Sequence, residues 1–357
     1  MPRDARSMAM GGSSLVFTEG YSALWGNPAG LARRRSFTML DTSTWAYLRP
    51  TPSNISAISS MLSAGATQDQ IKATLDSLIA ENGVGAGESL GFGWIDSGIG
   101  IGLTSVTDSY VSGSGLSSST LDMRSQTNAV VGMAWMLDFG PFKFDFGANV
   151  RGYYRLETSP GGWAFSSIAD ALVSGSDLMP VVSSDTVRGG FGVSLDAGAT
   201  LSLGPLGAGL MVRDVADKIA LKGSTVGEIV DSYMVPSGGL DYFSIAPVYT
   251  AGLSFSVGKG TLLSTSLYVE ADDPLSIFED SPMSAASIAS KLRSGLEIEF
   301  LKFLSLRSGF NQGYFSFGAG IHLLFLELNA AVFTEPLGVA GGTVGRSGIM
   351  VQGAVRF

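Results

Sequence analysis

The sequence predicts an all-β fold: a transmembrane antiparallel β-barrel of about 14 strands, with an N-terminal plug and small helices in one external loop. Three observations predict it. The chain is apolar on balance, with mean hydropathy +0.29 and only 15% charged residues, where a soluble protein carries about a quarter. No stretch reaches the roughly 18 unbroken apolar residues of a membrane helix; even Ala129 to Phe146 is interrupted by Asp138, Lys143 and Asp145. The apolar residues recur instead at every second position, in runs joined by connections that alternate between short and long.

Residues 1–34 come first and do not alternate, so they make no lipid-facing strand. They are small and glycine-rich, with "MAMGG" and "NPAG" among them. A barrel of about 14 strands has a lumen too wide for its own side chains to fill. This segment is therefore expected to fold back and plug it, leaving 35–357 as the barrel. Asn27, Pro28, Ala29 and Gly30 form a rigid turn: proline fixes one backbone angle and glycine permits a tight reversal. Arg33, Arg34 and Arg35 then mark the exit from plug to wall. "MPRDARSMAMGG" has no apolar core of a signal peptide, so an exported chain starts near its mature end or has its start further upstream.

Strands are counted from Ser36. The clearest is "PFKFDFGANVRGYYRLE", where Phe142, Phe144, Phe146, Ala148, Val150, Tyr154 and Leu156 share one face and Lys143, Asp145, Asn149, Arg151, Arg155 and Glu157 the other. Successive strand side chains point to opposite sides. "RGGFGVSLDAGATLSL" repeats the pattern, with Phe191, Val193, Leu195, Leu201 and Leu203 against Ser194, Asp196, Thr200 and Ser202. "KLRSGLEIEF" sets Leu292, Leu296, Ile298 and Phe300 against Lys291, Arg293, Glu297 and Glu299. Leu324 to Val332 alternates with Glu327 and Asn329. Several runs exceed the usual ~5–6 residues of soluble strands and suit a tilted membrane crossing.

Short turns fall at Asp96-Ser97, Phe139-Gly140-Pro141, Gly204-Pro205, Gly258-Lys259-Gly260, Lys302-Phe303 and about Leu323. Longer polar connections alternate with them: Pro50 to Gly83, Ser112 to Ser119, Thr158 to Asp185, Leu221 to Tyr242, Ala271 to Ser290 and Thr334 to Ser347. Asn311-Gln312-Gly313 is a tight turn on the long-loop side. Short turns inside and long loops outside are the arrangement of bacterial outer-membrane barrels, and an even strand count puts both barrel ends in the periplasm.

The loop at about 50–83 is expected to be helical. Thr67 is the N-cap of "TQDQIKATLDSLIAENG", Gln70 completes a capping box, and Gly83 ends it. Ile71, Leu75, Leu78 and Ile79 make one apolar stripe; Ile55, Ile58, Met61 and Leu62 suggest a shorter helix before it. The stripes pack over the barrel rim or form an external landing groove for a hydrophobic ligand. At the other end, "GIMVQGAVRF" turns Ile349, Val351, Val355 and Phe357 to lipid and Gln352 and Arg356 inward. The terminal Phe resembles the signal by which outer-membrane proteins are recognised for insertion, which makes the barrel-assembly machinery an expected partner.

Enzyme chemistry is not expected. Gly258-Lys259-Gly260 lacks the spacing of a phosphate loop, the Gly-x-Gly runs at Gly98 to Gly102 and Gly318 to Gly320 lie inside strands, and no Gly-x-Ser-x-Gly elbow exists. With no cysteine and His322 as the one histidine, neither a His-based metal site, Cys-ligated zinc nor a Ser-His pair can be built. No cofactor is expected. A net charge of −9 argues against nucleic acid. Asp145, Glu157, Asp196, Glu297, Glu299 and Glu327 read as lumen ion pairs.

"ARSMAMGGSSLVFTEGYSALWGNPAGLA" resembles the N-terminal hatch signature of the FadL-type superfamily of outer-membrane proteins, which includes fatty-acid and hydrocarbon transporters and PorV-like proteins. The matching pieces are Ala5-Arg6, Met10-Gly11-Gly12 and Asn27-Pro28-Ala29-Gly30-Leu31. "LMVRDVADK", "LRSGFNQGYFSFGAGI" and "LGVAGGTVGRSGIMVQGAVRF" look like the last strands of the PorV-like branch. The resemblance implies a hatch that moves to let an apolar ligand leave sideways through the wall. Passive uptake of hydrophobic molecules, fatty acids first, is the leading expectation, with Leu15, Phe17, Tyr21, Leu24 and Trp25 touching ligand or else packing the plug against the wall. The competing expectation is a PorV-like, non-transporting envelope protein that binds a partner or serves secretion. Either way the surroundings are the bilayer and lipopolysaccharide or other outer-leaflet lipid.

Overall fold

Alternation along the chain has one structural solution when both faces must be satisfied without water: strands that close on themselves. The computed structural model describes residues 2–61, 63, 65–232, 240–258, 260–278, 288–337 and 345–357. Within them one antiparallel sheet of 16 strands closes into a barrel. Its wall has 14 staves: β1 (Ser36–Tyr47), β2 (Val84–Asp96), β3 (Ile99–Ser112), β4 (Thr120–Phe139), β5 (Phe142–Thr158), β6 (Thr186–Leu203), β7 (Leu206–Thr225), β8 (Val248–Val257), β9 (Leu263–Asp272), β10 (Leu292–Phe300), β11 (Leu304–Asn311), β12 (Tyr314–Leu323), β13 (Leu326–Pro336) and β14 (Gly345–Arg356). Each pairs with the next, and β14 pairs with β1 to complete the ring. The other two strands are Trp163–Ala164, which pairs with β4, and Leu240–Ser244, which pairs with the far half of β7 above β8. The expected barrel and strand number hold.

The faces divide as their chemistry requires. On β5 the side chains of Asp145, Asn149 and Arg151 are buried in the lumen, while Phe142, Phe144 and Val150 face outward. Reversals at the short-turn end use left-handed residues: Ser97 and Gly98, Leu301 and Lys302, and Leu324 all have positive φ, as tight hairpins require. Lys259 lies outside the described residues, as do Leu62 and parts of three long connections (233–239, 279–287 and 338–344).

Phe357 closes the seam. Its N–H donates to Phe37 O at 2.8 Å, and Phe37 N–H donates to Phe357 O at 2.9 Å. Its ring stacks on Phe325 at 5.7 Å and on Phe37 at 6.2 Å, with Phe92 beyond. An aromatic row at the end of an apolar belt marks a membrane interface.

The wall is uneven. β4 to β7 run 17 to 20 residues, while β8 to β12 run only 8 to 10. The tall side carries a cap of helices. α2 (Pro52–Met61) forms where Ile55, Ile58 and Met61 suggest a shorter helix, and α3 (Gln68–Asn82) as its caps foretell, with Thr67 and Gln70 exchanging capping-box hydrogen bonds. The Thr158 to Asp185 connection, expected to be merely polar, contains α4 (Phe165–Ser174) and α5 (Met179–Val182), and α6 (Val226–Asp231) follows β7. Phe165, Ile168 and Ala169 recur at helical spacing and pack with Ile79, Trp163, Val187 and Ile229 in one apolar cluster. The α3 stripe is thus buried at Leu78 and Ile79 rather than left as an open groove.

A strand-built, lipid-belted protein is expected to need detergent for solubility and to migrate faster on gels before boiling than after it. A helix-dominated circular dichroism spectrum, or a monomer soluble without detergent, would contradict the fold.

Candidate functional site

Residues 2–33 sit inside the lumen, and the wall is shaped to receive them. α1 (Ala5–Ala9) is capped by the Asp4 side chain, which accepts from Ser7 N–H at 2.8 Å. Two 3₁₀ turns follow, Gly20–Leu24 and Pro28–Ala32. Inward positions that would bristle with side chains are glycines where the hatch touches. A Cβ at Gly93, Gly100 or Gly102 would lie 2.8 to 3.0 Å from a Leu24 methyl. One at Gly147 would lie 2.6 Å from the Pro28 carbonyl, and one at Gly309 would meet Met10. These glycines remove side-chain bulk so that hatch and wall reach van der Waals contact.

Asn27 is fully buried and holds its turn by three bonds. Its Oδ1 accepts from Ala29 N–H at 3.1 Å, its own N–H donates to Ser14 O at 3.1 Å, and its carbonyl accepts from Gly30 N–H at 3.1 Å. Pro28 takes the first helical position, where its missing N–H costs nothing. Ala29 is buried. Gly30 is obligatory, because a Cβ there would come within 2.1 Å of Thr18 O.

The hydrophobic hatch residues divide into two sets. Leu15 is buried with Met10, Val16, Met211 and Tyr268; Leu24 is buried with Leu31, Ile95, Val130 and Ala134. Phe17, Tyr21 and Trp25 also pack, Phe17 edge-on to Tyr268 and Tyr21 edge-on to Trp25. These three, unlike Leu15 and Leu24, line a lumen cavity of about 790 Å³. A second cavity of about 410 Å³ lies between Val16, Phe17 and Arg33 of the hatch and the short-turn end of β6 to β8.

Charged contacts fasten the hatch. Arg3 pairs with Glu335 at 2.8 Å, Arg6 with Glu297 at 2.6 Å and Arg33 with Asp145 at 2.7 Å. Attraction to Glu297 holds the Arg6 guanidinium protonated beyond its ordinary range. Of the six carboxylates expected in ion pairs, Glu157, Asp196 and Glu327 are also paired, with Arg188, Arg151 and Arg356 respectively. Glu299 instead accepts from the Ser264 hydroxyl at 3.1 Å.

The strongest anchor is one the sequence did not announce. Glu270 on β9 is 1% exposed and accepts from Ser13 Oγ and from the N–H groups of Ser14, Leu15 and Val16 at 3.0 to 3.2 Å. Beside it Tyr268 donates its hydroxyl to Met10 O, and Arg293 donates to Gly12 O at 2.7 Å. Alternation turns Tyr268 and Glu270 inward, but nothing local says which hatch atoms they meet.

The wall is interrupted between β7 and β8. β7 pairs with β8 up to Arg213 and with Leu240–Ser244 from Lys218 onward. Between them Ile245 N–H reaches Asp217 O at 3.1 Å, and Pro247 has no N–H to give. On its other edge β7 slips twice against β6, between Val193 and Leu195 and between Leu195 and Ala197. Asp214 and Ala216 adopt left-handed φ of 58° and 54°, a strained backbone that persists only where surroundings impose it. They do: Asp214 N–H donates to Asp196 Oδ1 at 2.9 Å, Asp214 accepts from Arg151 and Ser194, and Tyr153 donates to Asp217 at 2.6 Å. Among the described residues no cluster of three or more His, Asp or Glu is placed to hold a metal ion.

No family model and no curated protein matches the sequence. Solved structures do match in shape. A TodX deltaS2S3 mutant monoaromatic hydrocarbon channel is 13% identical, covers 99% of this chain and 98% of its own, and superposes with a TM-score of 0.52. The Ralstonia pickettii toluene transporter TbuX is 16% identical over 99% and 97%, with a TM-score of 0.51. The CymD monoaromatic hydrocarbon channel is 13% identical over 99% and 96%, with a TM-score of 0.53. In fold, the chain is therefore a closed 14-strand barrel similar to these channels over nearly its whole length.

Proposed function

We propose that this protein is a passive transporter of hydrophobic compounds in a bacterial outer membrane, with long-chain fatty acids as the first ligand class. The observation that carries the reading is the interrupted ladder between β7 and β8. It is flanked outside by the apolar, exposed side chains of Val193, Leu195 and Tyr249, so an apolar molecule leaving the lumen there enters acyl chains without crossing water. The fold it shares with hydrocarbon channels supports the same reading. Phe17, Tyr21 and Trp25 are the hatch residues that face ligand, while Leu15 and Leu24 hold the hatch in place.

A fatty acid is favoured over a neutral hydrocarbon by Arg213. This guanidinium lines the lumen cavity beside the interruption, and its Nε is buried without a hydrogen-bond partner. An anionic head group would satisfy it. In this arrangement the short-turn end and both chain ends face the periplasm, the long loops face lipopolysaccharide, and Phe357 is what the assembly machinery reads.

A second reading, a PorV-like protein that binds an envelope partner without transporting, draws support from how closely Leu24 fits its glycine socket. Uptake of labelled long-chain fatty acid and of toluene by cells that depend on this protein separates the two. Ala246→Trp, which crowds the interruption, is expected to lower uptake of both several-fold at equal surface level, and Arg213→Gln to lower only fatty-acid uptake. Uptake by wild type no better than by cells lacking the protein would favour the second reading.

A further inference from the structure

We propose a second route through the same barrel: a water-filled conduit, on the side of the lumen away from β3 to β6, that carries small ions and polar solutes past the seated hatch. The hatch does not fill the lumen evenly. Its turns press into the glycine socket of β2 to β5, and toward β10 to β13 it reaches the wall partly through long arginine side chains. The space left is the cavity of about 790 Å³, room for roughly two dozen waters at ~30 Å³ each.

The cavity has both ends of the barrel in its lining. At the short-turn end it is bounded by Ser36, His322 and Phe357; at the long-loop end by Asn311, Gln312 and Pro336. It can reach both because the wall is low here. β11 is 8 residues long, and its tight reversal at Gln312 and Gly313, both with positive φ, brings the rim close to the membrane belt.

Beyond the apolar patch of Phe17, Tyr21 and Trp25 the lining is charged and suits water. Seven arginines face seven carboxylates along it, and at mid-height Arg6 and Arg307 share Glu297 at 2.6 and 2.7 Å. Burying that many charges dry would cost far more than their pairing returns, so the path between them is hydrated. The balance of signs gives the conduit no preference between cations and anions. Of the residues that flank the β7 to β8 interruption only Arg213 belongs to this lining, so the two routes share the cavity at that point and diverge beyond it.

The chain has no cysteine, so a single introduced thiol reports cleanly. Ser305 lines the conduit near the short-turn end, and no hydrogen bond ties its side chain to another described residue. The intact protein in planar bilayers is expected to give small ohmic steps with a reversal potential near zero in a salt gradient. Ser305→Cys, treated with a charged methanethiosulfonate, is expected to lose about half its conductance or more. Gln312→Cys repeats the test from the other mouth should the first variant fold poorly. Bilayers that stay silent with correctly folded wild type, conductance unchanged after complete labelling, or strict selectivity for one sign would each overturn the conduit. None of these outcomes touches the uptake measurement, so the two readings fail separately.

Discussion

A chain lacking residues 1–34 is expected to fold into the same barrel and to conduct ions about ten-fold better than the intact protein. The wall does not need the hatch to close: each of its 14 staves is hydrogen-bonded to two neighbours through the main chain. What the hatch supplies is bulk and counter-charge. Its removal bares the glycine socket, which is wide because it has no side chains, and leaves Glu297, Glu335, Asp145 and Glu270 facing water instead of hatch donors. Those carboxylates become solvated rather than buried, so the stability lost is modest beside the conductance gained. The melting temperature is expected to fall while gel heat-modifiability persists. A deletion that inserts normally yet conducts no better than the full chain would mean that these residues do not obstruct the lumen.

How far this could be read from sequence follows from the period of each element. β5, β6 and β14 are legible because a strand with one wet and one lipid face must alternate, and a single phase error would put Asp145 or Gln352 into the bilayer. The capped helix α3 is legible because its N-terminal donors need Thr67 and Gln70. α4 was missed although Phe165, Ile168, Ala169 and Leu172 keep helical spacing, since serines and aspartates around them made the connection look merely polar. The hatch was legible as a non-strand, and its Asn27-Pro28 turn as a turn. Its docking was not, because contacts such as Leu24 against Gly93 and Gly102 join segments whose relative register no local pattern specifies. The interruption in β7 left a trace: "VRDVAD" places two charged residues side by side at Arg213 and Asp214, where alternation allows one. That phase break corresponds to the paired bulges.

Glu270 is where a single side chain should matter most. One carboxylate, almost wholly buried, accepts four hydrogen bonds from consecutive hatch residues, with the Arg293 guanidinium 3.8 Å away as counter-charge. Glu270→Ala removes every acceptor at once. Three main-chain N–H groups, those of Leu15 and Val16 buried and that of Ser14 partly so, and one hydroxyl then lack partners, and each buried one costs about 1–3 kcal/mol unless water reaches it. The cheaper outcome is for residues 13–16 to leave their seat, which draws Leu15 from its contact with Met211 and Tyr268. The wall strand itself loses nothing, since β9 keeps its ladders to β8 and β10. The variant is therefore expected to insert at normal yield, to show fast hydrogen exchange at Ser14, Leu15 and Val16, and to give larger, flickering conductance steps as the hatch detaches and reseats. Glu270→Gln keeps one acceptor oxygen and should fall between the two. Exchange at these amides as slow as in wild type would show that the packing of Leu15 and Leu24, rather than the carboxylate, holds the hatch.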